Sequence, residues 1–180
     1  MKNLSTIAKK ICLIGDFGVG KTSLIRRFVE GEFSDKYLST VGVKISRKLI
    51  DCSDKDAEKT QKLQMIIWDI EGSNKFKAIA PSYFQGAKGA VIVGDATVQE
   101  TLNHLSEHIK NFLAVSPKSY IIIALNKSDL IEAEYLETLR QLYQFCEPNY
   151  VIATYLTSAK SGDNVEKIFQ ILAEALMQGN

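Results

Sequence analysis

Apolar and polar positions follow two rhythms along this chain. Short unbroken apolar runs at residues 11–15, 89–95, 120–126 and 150–156 read as strands buried on both faces. Stretches with apolar residues at three- and four-residue intervals, near 22–29, 101–115, 132–145 and 164–177, read as helices with one buried face. In the last of these, Val165, Ile168, Phe169, Leu172 and Leu176 share a face behind a Gly162-Asp163-Asn164 turn. Residues 41–52 and 62–69 read as neighbouring strands joined by a polar tip at 51–60, whose charges suit a solvated hairpin better than a binding patch. Strands alternating with helices predict an α/β fold: a mostly parallel six-stranded sheet with one antiparallel edge strand and helices on both faces. Nothing repeats and no low-complexity linker divides the chain, so residues 1–180 are expected to form one domain.

The strand at 11–15 runs directly into Gly15-Asp16-Phe17-Gly18-Val19-Gly20-Lys21-Thr22, which spells G-x-x-x-x-G-K-T ahead of a helix-forming stretch. Such a loop cradles phosphate. Its glycines let the backbone of Gly18, Val19 and Gly20 curl close to an anion with N–H groups pointing inward. Lys21 reaches the β- and γ-phosphates, the Thr22 hydroxyl is placed for Mg2+, and the helix start adds its positive end. The loop alone leaves ATP and GTP open. Asn126-Lys127-Ser128-Asp129 decides for guanine, because it follows a buried strand at the carboxyl end of the sheet, where ligands bind. A carboxylate at Asp129 can accept from the guanine N1–H and exocyclic amine, whereas adenine would leave it unpaired. Asn126 can tie this loop to the phosphate loop, the Lys127 stem can cover the base, and a backbone N–H of Ser158-Ala159-Lys160 can meet the guanine O6.

Bulk properties narrow the picture further. The chain is 46% hydrophobic and 24% charged, and its 22 basic and 21 acidic residues leave a net charge of +1, which gives no argument for nucleic-acid binding. Cys12, Cys52 and Cys146 are widely spaced and fit a reducing compartment, with no metal or disulfide framework. No apolar run approaches the ~18 residues of a membrane span. Lys9 and Lys10 interrupt any signal-peptide core, and no terminal cysteine offers a prenylation site. The expectation is a cytoplasmic monomer with no direct membrane anchor.

The phosphate loop through Ser23, the stretch Phe33…Tyr37-Leu38-Ser39-Thr40-Val41-Gly42-Val43, Trp68-Asp69-Ile70-Glu71-Gly72, N-K-S-D and S-A-K stand in one order. With Ser82-Tyr83-Phe84-Gln85-Gly86-Ala87-Lys88-Gly89-Ala90, they make the chain from Ile11 to Met177 resemble a Ras-superfamily small GTPase, most like the Rab branch. The resemblance implies a GTP/GDP switch with Mg2+. Phe33 would pack on the guanine, Thr40 would bind Mg2+ in the triphosphate state, Asp69 would hold it through a water, and the Gly72 N–H would touch the γ-phosphate. Lys21 is the implied catalytic residue. Effector, exchange-factor and activating proteins would read the surface around Thr40 and Gly72, including Tyr37, Leu38 and Phe76.

Three positions depart from the family around the γ-phosphate: Ser73 stands where the family has a water-orienting Gln, Phe17 replaces a small residue, and Glu71 replaces a small Ala. An ionised Glu71 would face an anionic triphosphate, and Phe17 would crowd the approach of an external arginine. Slow hydrolysis is therefore expected, the alternative being a GTP-binding interaction module with little or none. His104 and His108 sit four apart on a predicted helix and are expected on the surface, away from the phosphate loop.

Overall fold

The computed structural model describes residues 6–36, 39–53, 60–75, 77–143 and 150–179. Tyr37, Leu38, Phe76 and Cys146 lie outside them. Six strands form one sheet: β1 (Thr6–Ile14), β2 (Val43–Ser53), β3 (Thr60–Ile70), β4 (Gly89–Asp95), β5 (Tyr120–Asn126) and β6 (Val151–Leu156), in the order β2-β3-β1-β4-β5-β6. β2 runs antiparallel to β3 at the edge, with Val43 opposite Ile70, and the other pairings are parallel. The helices are α1 (Lys21–Glu30), α2 (Ala80–Phe84), α3 (Gln99–Asn103), α4 (Leu105–Val115), α5 (Ala133–Leu142) and α6 (Val165–Gln178).

Successive side chains of β1 go to opposite sides of the sheet, as the two-residue period of a strand requires. Ile11 and Leu13 join a core with Leu24 and Phe28 of α1 and Phe169 of α6. Cys12 and Ile14 join a second core with Phe84 of α2, Leu105 and Phe112 of α4, and Leu139 of α5. Helices thus cover both faces, as the unbroken apolar runs of β4 and β5 demanded; all seven residues of β4 are buried.

Chain order reverses beside β1, whose neighbours are β3 and β4. In an open α/β sheet the crevice at the carboxyl ends of such strands is where ligands bind. The loops after β1, β5 and β6 meet there.

Three elements differ from the sequence expectation. β1 starts at Thr6, well before the apolar run, because parallel pairing with β3 carries it through half-exposed Lys9 and Lys10. The single helix expected over 101–115 is two, α3 and α4, meeting at His104. α2 has only five residues, too few to show a helical period.

Candidate functional site

A cavity of about 320 Å3 opens at this crevice. One wall is the phosphate loop, from Phe17 and Gly18 through Gly20, Lys21, Thr22 and Ser23. Phe33 and Thr40 form a second side, Glu71 and Gly72 a third, and Asn126, Lys127, Asp129, Ala159 and Lys160 close the far end. Val19, Asp69 and Ser158 stand behind that lining and are buried.

α1 begins at Lys21 on a Gly20 that offers no side-chain cap, so its first-turn N–H groups are left to a ligand. Gly20 is in the left-handed region at φ +96°, and a Cβ there would lie 2.4 Å from Asn126 Nδ2. No side chain fits between the phosphate loop and the 126–129 loop.

Lys21 is 6% exposed, and its Nζ donates to the carbonyls of Gly15 and Asp16, each at 2.8 Å. Burial pulls its pKa down to about 8, against the carboxylates of Asp69, Asp16 and Glu71, which push it up. Gly72 approaches closely: a Cβ on it would meet Lys21 Nζ at 2.6 Å and Gly15 O at 2.4 Å. Beside them, Thr22 Oγ1 donates to Asp69 Oδ2 at 2.5 Å and lies 2.6 Å from Thr40 Oγ1, which itself donates to Asp69 Oδ2 at 3.1 Å. The other carboxylate oxygen, Asp69 Oδ1, is buried with no hydrogen-bond partner.

Two hydroxyls and a carboxylate with one orphaned buried oxygen make an oxygen-only donor set, which suits a hard divalent cation that keeps waters, such as Mg2+. Among the described residues, no cluster of three or more His, Cys, Asp or Glu offers a metal site of the other kind.

At the far end, Asn126 is 1% exposed and its Nδ2 donates to Val19 O at 3.0 Å. Its Oδ1 accepts from Thr157 Oγ1 and the Ala159 N–H, both at 3.3 Å. Ser158 Oγ donates to Asp129 Oδ1 at 2.6 Å, fixing that carboxylate at the cavity rim. Lys127 is held at φ 64° with its ammonium 2.5 Å from Asp95 Oδ2, so its stem lines the cavity while its charge is paired behind. Arg27 donates to the Ala159 carbonyl at 2.8 Å and to that of Lys160, anchoring this loop to α1. Phe33 lines the cavity while packing against the core beneath α1 and α6.

One reading needs correction. His104 and His108 are not surface residues remote from the phosphate loop. His104 Nδ1 lies 2.6 Å from Asp16 Oδ2 and His108 Nε2 lies 2.8 Å from Asp16 Oδ1. β1 and β4 are neighbours, so the loop after one meets the helices after the other, and four-residue spacing puts both rings on the facing side. Burial pushes the Asp16 pKa up, but its bonds to the two imidazoles outweigh this and hold it low; burial holds His108 below its usual value against the pull of Asp16. A carboxylate at the second loop position and the paired histidines were the available signal.

Glu71 lines the cavity, as expected, and its carboxylate has two donors. Oε2 accepts from the Gly42 N–H at 2.7 Å and Oε1 from Ser73 Oγ at 2.5 Å, and these bonds hold its pKa low. Phe17 lines the cavity with 54% of its surface exposed.

The pattern of the Ras family matches residues 10–178. The chain is 34% identical over 161 residues to GTP-binding protein ypt4 of Schizosaccharomyces pombe, covering 89% of this chain and 68% of that protein. It is 40% identical over 164 residues to Ras-related protein Rab-11B of Dictyostelium discoideum, covering 91% and 71%. Against Ras-related protein Rab-31 of Homo sapiens the identity is 33% over 162 residues, covering 89% and 79%.

Proposed function

The chain belongs to the Ras family of small GTPases, on its Rab branch, and from that premise we propose that it is a Mg2+-dependent GTP/GDP switch that hydrolyses GTP slowly. The observation that carries the reading is the convergence of Thr22, Thr40 and the half-satisfied Asp69 carboxylate beside Lys21. Thr22, Thr40 and Asp69 would hold the cation, which when bound supplies positive charge against the phosphate oxygens. The N–H groups from Gly18 to Ser23 receive the phosphates, and the Lys21 ammonium, already aimed into that nest, moves from two carbonyls to phosphate oxygen. Asp129 reads the guanine edge, with Ser158 fixing the carboxylate that does so. Phe33 and the Lys127 stem cover the base, and the Ala159 and Lys160 backbone faces its O6 side.

Loss of the γ-phosphate removes what Gly72 and Thr40 contact, and the segments bearing them change partners. Effector and regulator proteins then distinguish the two forms there. The residues form one domain acting as a monomer in the cytoplasm. A GTP-binding module with little hydrolysis is the second reading, favoured by the Ser73 hydroxyl being bonded to Glu71 rather than free to orient water. Two measurements test this. The nucleotide that co-purifies should be GDP or GTP, and equal affinity for ATP would overturn the assignment. Single-turnover hydrolysis of pre-loaded GTP separates slow turnover from none.

A further inference from the structure

The Asp16–His104–His108 cluster is used by nothing in the reading above, yet it sits on the phosphate loop. The Asp16 side chain is 16% exposed and each of its two oxygens meets one imidazole nitrogen. The same residue's carbonyl accepts from Lys21 Nζ, so whatever fixes Asp16 fixes one of the two holds on that ammonium. The bonds also assign the rings: beside an ionised carboxylate, His104 carries its proton on Nδ1 and His108 on Nε2, each as a donor.

We infer that His104 and His108 are positioning residues for nucleotide binding, bracing the start of the phosphate loop against α4 through Asp16, with His108 making that brace proton-dependent. The inference rests on the nucleotide reading of the cavity. Two consequences follow from charge and geometry. Without the brace, a half-buried carboxylate would be left without these donors at the foot of an anion site, and the loop would rearrange to hydrate it. With it, the cluster carries about one negative charge when His108 is neutral and loses that charge as the His108 ring gains a proton.

The groups facing His108 are Asp16 and Lys21 from the phosphate loop and Lys77 from the segment before α2; Glu71 and Glu107 join His108 and Lys77 in lining a second cavity of about 280 Å3. The positive charge of Lys21 already reaches His108 and disfavours its protonation. A phosphate held by Lys21 brings the opposite sign to the same place. Binding therefore takes up protons, and nucleotide affinity rises as pH falls through the histidine range.

The test uses the full chain and a fluorescent GDP analogue, with release followed between about pH 5.5 and 8. His104→Ala and His108→Ala should speed release about tenfold at neutral pH, the loss expected for one bond to a half-buried charged group. His104→Gln and His108→Gln keep an N–H donor without a titratable ring. Both should recover most of that loss, and His108→Gln should flatten the pH dependence by about fivefold across the range. The terminal phosphate of GDP titrates nearby, so the difference between wild type and Gln variants is the reading.

Histidine ring NMR on wild type and Asp16→Asn provides a measurement that needs no nucleotide: the Nδ1–H and Nε2–H tautomers should be fixed in the first and mixed in the second. Release and pH slope identical in wild type, Ala and Gln variants, or rings that exchange tautomers freely in wild type, would overturn the inference. Metal-dependent ring shifts would overturn it in favour of a metal site. If no guanine nucleotide binds at all, the reading of the cavity fails instead, and the ring tautomers still report on the brace.

Discussion

Asn126→Ala isolates the joint between the phosphate end and the base end of the cavity. The amide is 1% exposed and serves three buried groups: it donates to Val19 O at 3.0 Å and accepts from Thr157 Oγ1 and the Ala159 N–H at 3.3 Å. Leaving a buried polar group unpaired costs about 1–3 kcal/mol, and the two longer contacts belong at the bottom of that range. The expected loss is about 3 kcal/mol, divided between folding and binding, because Val19 is in the phosphate loop and Ala159 is in the base loop. Urea unfolding of nucleotide-free protein should register about 2 kcal/mol of it, and GDP titration roughly a further fivefold in affinity. Asn126→Asp keeps the shape but turns a carboxylate oxygen on the Val19 carbonyl, and should be worse than Ala in both assays. Changes below about 0.5 kcal/mol in unfolding, with unaltered GDP affinity, would refute the joint as the element that registers the two loops.

Gly20→Ala should abolish nucleotide binding, measured by GDP titration, since its Cβ would fall 2.4 Å from Asn126 Nδ2 at a φ of +96°. Asp129→Asn should lower affinity for GDP and raise it for xanthosine diphosphate in a competition assay, the 2-oxo group no longer meeting a carboxylate; an unchanged preference would remove Asp129 from base recognition. Thr40→Ala should weaken Mg2+ dependence more for GTP than for GDP in a chelator titration, since the Thr22 and Thr40 hydroxyls, 2.6 Å apart, share Asp69 Oδ2 while Oδ1 is left without a partner. Ser73→Gln alone should leave single-turnover hydrolysis little changed, because it removes a donor from Glu71 or binds the new amide to it; a large gain would make Ser73 the main defect.

The sheet was legible in the sequence because parallel strands buried on both faces leave continuous apolar runs. Gly89–Asp95 and Tyr120–Asn126 are found at the very residues those runs mark. Where edges depend on backbone pairing instead of burial, as in Thr6 to Lys10, composition carried no signal. The loops at 15–22 and 126–129 stand out in the sequence because the chemistry proposed for them allows few residue types at fixed spacing, and the fold brings both to one cavity. The Asp16–His104–His108 cluster joins positions 88 and 92 residues apart, and a helix surface histidine looks the same in sequence whether it meets water or a carboxylate. Only the neighbouring of β1 and β4 decides between them. The 3.3 Å contacts of Asn126 and the tether from Lys127 to Asp95 depend in the same way on loops brought together by strand order.

The departures at Glu71 and Ser73 look independent in sequence but share a hydrogen bond in the fold. Glu71 accepts from the Ser73 hydroxyl with one oxygen and from the Gly42 N–H with the other, while its own N–H donates to the Gly42 carbonyl at 2.9 Å. A carboxylate at position 71 beside an anionic ligand needs donors, and Ser73 and Gly42 supply them. A small residue at 71 would need neither. Gly42 lies just before β2 and Glu71 just after β3, so the carboxylate ties the ends of both strands next to Thr40 and Gly72. That tie has a consequence for catalysis. A carboxylate held ionised by two donors is a weak base, so Glu71 is poorly suited to take a proton from attacking water. Converting Ser73 to Gln removes one of its donors unless the longer amide reaches back to the same oxygen, in which case that amide is no longer aimed at water. The two residues therefore act as one unit, and changing either alone leaves the other poorly matched to its surroundings.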